Sequence, residues 1–229
     1  MAKFASRRRG RIAAAILLAV LPFTAGAADV PASGKPGGRI GEYLMSLDAY
    51  QTMYAVALEQ DGQVGILCAE TYDIRPLTIA VLTALEYPEG AAHPTTGAWQ
   101  YRFEARRCGK VRLFNLMMIA RAGEVPSATM LPPGKTVASP LAMRSAMDLA
   151  VASIGSGQGK GCKEINVLNT DVDVPAKKPG AAWTERWTMR ACGKDVPLTL
   201  HFAPDDKGGT AVTLPAAKKA AGGGGGKKR

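Results

Sequence analysis

The sequence predicts an α+β protein built as two tandem units, each a helix followed by an antiparallel meander and each closed by a disulfide. Three observations lead there. WQYRFEARRCGK at 99–110 recurs 84 positions later as WTERWTMRACGK at 183–194, with seven of twelve positions identical or both aromatic. The four cysteines fall two and two, one early and one late in each repeat. Each repeat opens on a helical apolar stripe and continues in short strand-length patterns.

Residues 1–28 read as a signal peptide. MAKFASRRRGR is basic, IAAAILLAVLPFTAG is apolar, and Ala25-Gly26-Ala27 supplies the small residues that a signal peptidase cuts after. The apolar run is short of the roughly 20 residues that a membrane span needs. Ser6-Arg7-Arg8 resembles a twin-arginine signal without the apolar residues that usually follow, so the export route stays open between the general and twin-arginine systems. The expectation is a soluble periplasmic or secreted protein, with no transmembrane segment after cleavage.

The first repeat unit is expected over 29–125. Ile40, Tyr43, Leu44, Leu47, Tyr50, Tyr54 and Leu58 make one helical stripe. Strands are expected near 65–72, 77–87, 99–106 and 111–120. A linker follows over 126–137, inside the Pro- and Gly-rich GEVPSATMLPPGKTVAS. The second unit is expected over 138–215. Its helix opens with Ser139 as cap and Pro140 in the first turn, and it aligns Met143, Met147, Ala150, Val151 and Ile154. Strands are expected near 163–168, 170–174, 183–190 and 196–203, with TAVTLP at 210–215 as an extra one. Residues 216–229, AAKKAAGGGGGKKR, form a basic, glycine-rich tail with no core-forming residues, expected to be disordered.

Four cysteines in an exported chain suggest disulfides, with three possible pairings. The duplication selects among them. A repeated unit most simply keeps its bond within itself, which gives Cys68–Cys108 and Cys162–Cys192. A zinc site and a thiol-redox site both want a C-x₂-C pair, and the sequence has none.

The WTERWTMRACGKDVPLTLHFAPD stretch, with its W-T-E-x-W and C-G-K elements, is similar to a stretch found in uncharacterised exported proteins of proteobacteria. The two-unit, disulfide-closed plan resembles that of the β-lactamase inhibitory proteins. That resemblance implies two meanders joined into one concave sheet, and an inhibitor that binds an enzyme.

Strand alternation separates two faces of the repeated motif. Trp99, Tyr101, Phe103 and Ala105, and then Trp183, Glu185, Trp187 and Met189, are expected to face the helices. Arg102, Arg106, Arg186 and Arg190 recur on the other face. If the sheets join edge to edge, the four guanidinium groups share one surface suited to carboxylate or phosphate groups. The next strand places Leu113, Met117 and Ile119 on this outer face, where the second unit has Pro197, His201 and Ala203. Half two, a second chain or an apolar ligand would have to cover that apolar patch. These seven residues are the candidate binding surface.

Charge excludes one function class. The net charge of +10 sits at the ends: five basic residues leave with the signal and five more lie in the tail, which leaves 19 basic against 19 acidic residues in the body. A neutral body argues against nucleic acid as a partner. The tail is expected to give weak, salt-sensitive attraction to anionic surfaces. His93 and His201 stand outside any nucleophile or metal motif. GSGQGKG at 155–161 follows a helix and lacks the Lys-Ser/Thr ending of a phosphate loop. Asp171, Asp173, Asp205 and Asp206 lack calcium-loop spacing. No catalytic residue, metal ligand or cofactor is expected. The function expected is that of a non-enzymatic binding or accessory protein acting on a protein or an apolar envelope partner. An enzyme inhibitor comes second and a hydrolase without a readable motif third.

Overall fold

The computed structural model describes residues 38–215. The expected signal peptide over 1–28 and the expected tail over 216–229 lie outside the described residues. The protein is α+β, with two helix-plus-meander units in tandem. The first unit runs α1 (Gly38–Leu44), α2 (Leu47–Gln63), β1 (Asp73–Glu86), β2 (Thr96–Arg107), β3 (Lys110–Ala120) and β4 (Ser127–Leu131). The second runs α3 (Pro140–Ser156), β5 (Ile165–Val174), β6 (Trp183–Ala191), β7 (Lys194–Pro204) and β8 (Thr210–Thr213). Each sheet is a four-stranded antiparallel meander in chain order.

The first helical stripe folds as two helices rather than one. Ser46 accepts a hydrogen bond from the Ala49 amide and caps α2, so the chain restarts there instead of continuing α1. The restart turns the face. Ala49, Met53, Val56, Ala57, Gln60 and Asp61 are buried, whereas Leu47 and Leu58 of the expected stripe are exposed. α3 is capped by Ser139 with Pro140 in its first turn, as expected. It buries Ala142, Met143, Ala146, Ala150 and Ile154, and its alanines allow close approach to the sheet. Val151 is left at the surface.

The first-unit core gathers Trp99, Tyr101, Phe103, Phe114 and Leu116 against α1 and α2. The second gathers Trp187, Met189, Leu200 and Phe202 against α3. The aromatic faces of β2 and β6 are thus the helix-side faces. Three strands differ from expectation. Residues 65–72 form the irregular exit of α2, because β1 is an edge strand and, among the described residues, no neighbour lies beyond it to pair with them. Residues 163–174 contain one strand, β5, with a register shift at Val167/Asn169. Within the expected linker, residues 127–131 form β4, which pairs with β3 from Asn115 to Ile119.

Both disulfides are the expected ones, Cys68–Cys108 and Cys162–Cys192. They do equivalent work. Cys108-Gly109 joins β2 to β3 and Cys192-Gly193 joins β6 to β7, each as a two-residue hairpin turn with both central φ angles positive. That is the turn pattern whose twist suits a tight hairpin. Each turn cysteine is bonded to the loop leaving the preceding helix.

Candidate functional site

The two units meet along a joint built from buried polar groups. Its centre is the segment between β4 and α3. The Gly134 amide donates to the Leu113 carbonyl of β3 at 2.9 Å, and the Lys135 amide to the Thr170 carbonyl of β5 at 2.6 Å. The segment thus bridges the two sheets, with a parallel bridge at Gly134–Thr170. Gly134 has φ +110°, and a Cβ there would collide with the Thr170 backbone. Thr170 is fully buried; its hydroxyl donates to the Pro133 carbonyl and accepts from the Thr136 amide.

Glu185 anchors the same segment from the core of the second unit. It is completely buried and accepts four hydrogen bonds. The Thr136 hydroxyl, the Val137 amide and the Trp183 indole each donate at 3.0 Å, and the Trp187 indole donates at 2.8 Å. Four donors replace the water that the carboxylate loses on burial. Arg102 reaches the segment from the first unit, donating to Asn115 Oδ1 at 2.8 Å and to the Thr136 carbonyl. Burial lowers the Arg102 pKa, and the Glu185 carboxylate opposes that shift. Asn115, fully buried, donates to the Pro132 and Gly134 carbonyls.

A second part of the joint lies at the C-terminal end of α2. Asp61 is buried and ion-paired to Arg112, and it accepts from the Tyr72 hydroxyl at 2.6 Å. Arg107 donates to the same hydroxyl at 2.7 Å and lies over the Tyr72 ring. Arg112 also donates to the Leu168 carbonyl, at the irregular register of β5, at 2.7 Å. Asn166 donates to Gln63 O at 3.0 Å and Arg190 to Val64 O at 2.8 Å. Burial, with repulsion from Arg190, lowers the Arg112 pKa to about 10, which leaves it charged at neutral pH.

The four repeated arginines therefore stand in three different environments. Arg102 and Arg190 hold the joint; Arg190 also pairs with Asp195. Arg186 is largely exposed and pairs with Asp173. Arg106 is exposed. Leu113, Met117 and Ile119 are half-buried, and Met117 packs against the second-unit core. Asp61, Tyr72, Arg107, Arg112 and Asn115 were not singled out by sequence. The only signal for Asp61 was its place four residues after Ala57 and eight after Met53 on the true buried face of α2.

Comparison with protein-family models, with curated proteins and with solved structures finds no match.

Proposed function

We propose that the chain is an exported, non-enzymatic binding or accessory protein that presents the outer faces of its two sheets to an envelope partner, either a protein or an apolar molecule. The observation that carries this reading is the use made of the buried charged groups. Asp61, Arg102, Arg112 and Glu185 all bond groups that hold the units together or the joining segment in place. Fixing two faces relative to each other serves recognition across both, because a preorganised surface loses less freedom on binding. The mixed character of those faces favours a protein partner. Arg106 and Arg186 supply directional donors, and Leu113 and Ile119 supply apolar area beside them. The leader-like start and two disulfides support an oxidising, extracytoplasmic setting. Among the described residues, no helix is long and apolar enough to cross a membrane.

The tandem disulfide-closed plan supports a narrower version of the same reading, in which the partner is an enzyme and the chain its inhibitor. Site-specific photo-crosslinking in the envelope tests the proposal. A crosslinker at Arg106 or Thr188 on the outer faces should capture a discrete partner, and Arg186→Glu should reduce the yield. Capture only from helix-side positions such as Leu141 would contradict it. Inhibition by the captured complex selects the inhibitor version.

A further inference from the structure

Beneath the Cys68–Cys108 disulfide lies a cavity of about 80 Å³ on the helix side of the first sheet, away from the outer faces. Arg107, Lys110 and Arg112 line it, against the single carboxylate of Asp61. Glu70 sits nearby, with its carboxylate accepting from the Cys108 amide at 2.7 Å, so cations still outnumber anions. Asp61 is already engaged by Arg112 and Tyr72. Two cationic groups keep unused donors. Arg107 Nε is buried with no hydrogen-bond partner, and Lys110 makes no side-chain bond among the described residues. The cavity opens onto a wider apolar groove that shares Ile66, Leu67, Cys68 and Arg107 with it and extends to Leu58. Leu67 is 89% exposed and Leu58 49%, so apolar side chains line a groove that nothing within the described chain fills.

The repeat supplies an internal control. The positions matching Arg107 and Arg112 in the second unit are Ala191 and Val196, both buried among core residues. The corresponding place there is closed by alkyl groups. Lys110 is matched by Lys194, so the two guanidinium groups are what the first unit alone has here.

We propose that this composite site binds an amphiphile with a single carboxylate head, the head lying in the cavity against Arg107 and Lys110 and the alkyl chain in the groove over Leu67 and Leu58. The charge excess selects an anionic head, and a planar carboxylate suits a guanidinium edge. The small cavity admits a compact head, and the open groove tolerates a chain of variable length.

Isothermal titration of the exported full chain, with both disulfides formed, tests this with dodecanoate below its micelle concentration. Saturable binding of one molecule per chain is expected. Lys110→Gln and Leu67→Asp should each weaken it about tenfold, the size of one lost charged or apolar contact. Neither side chain takes part in an internal hydrogen bond among the described residues, so both variants should fold. Arg107→Gln should weaken binding further, with circular dichroism checking its fold. Dodecanol, with the same chain and a neutral head, should bind about tenfold less tightly. Absence of saturable binding would overturn the proposal. So would equal affinity for dodecanoate and dodecanol, or affinity unchanged by Lys110→Gln.

Discussion

Glu185 occupies the repeat position that the first unit gives to Tyr101, and the exchange changes what that core can hold. In the second unit the carboxylate accepts both indole N–H groups and two groups of the joining segment. In the first unit the Trp99 indole and the Tyr101 and Tyr43 hydroxyls are buried without partners among the described residues. Glu185→Gln keeps the shape but turns an NH₂ toward donors, and it should cost about 2–3 kcal/mol in chemical denaturation. The unpaired phenols carry a pH signature. Burial raises the Tyr43 pKa to about 12 and pushes Tyr101 up as well. A phenol whose folded pKa exceeds its unfolded value, about 10, adds stability that is complete below pH 10. That stability is lost as the pH rises through the folded pKa. Ultraviolet titration should therefore show Tyr43 and Tyr101 ionising late, with unfolding easier from pH 10 to 12. Alternation alone placed Glu185 on the core face. Its donors at 136 and 137 lie some fifty residues away in sequence and have no local signal.

The Cys-Gly turns show which elements a sequence can declare. A repeated motif carrying Cys-Gly-Lys and an even cysteine count are local facts, and they led to the correct bonds. At each turn a cysteine holds a left-handed φ that a non-glycine residue takes at some cost, and the disulfide ties that position to the helix exit. Replacing both cysteines of either pair with serine should destabilise that unit by about 2–5 kcal/mol, measured by denaturation of the variant. The two-helix start and β4 were hidden for physical reasons. Ser46 competes as a cap inside a continuous apolar pattern. β4 lies among prolines and glycines that read as linker, and it is a strand only because the edge of β3 is there to pair with it. Gly134 is the sharpest test at this scale. Gly134→Ala introduces a Cβ against the Thr170 backbone, so it should speed amide exchange at Lys135 and Thr136 while leaving the β2–β3 hairpin protected.

At the scale of the whole molecule, two duplicated units have been made into one body by diverging at their meeting point. Arg102, Arg112 and Asp61 from the first unit and Glu185, Thr170 and Arg190 from the second have joint-forming roles that their repeat counterparts lack. Removing one partner of the buried Asp61–Arg112 pair leaves an uncompensated charge, which costs about 3–5 kcal/mol. The duplication made the two-unit plan legible. The joint was not legible, because its residues acquire their partners only from segments far away in sequence. Hydrogen exchange of the full chain, comparing amides of β2 with amides of β6, tests the claim that the joint makes one rigid body. The slowest amides of both strands should open with the same free energy. In Arg112→Gln they should separate into two values, the first unit opening more easily. Two distinct opening energies in the parent protein, unchanged in Arg112→Gln, would contradict it.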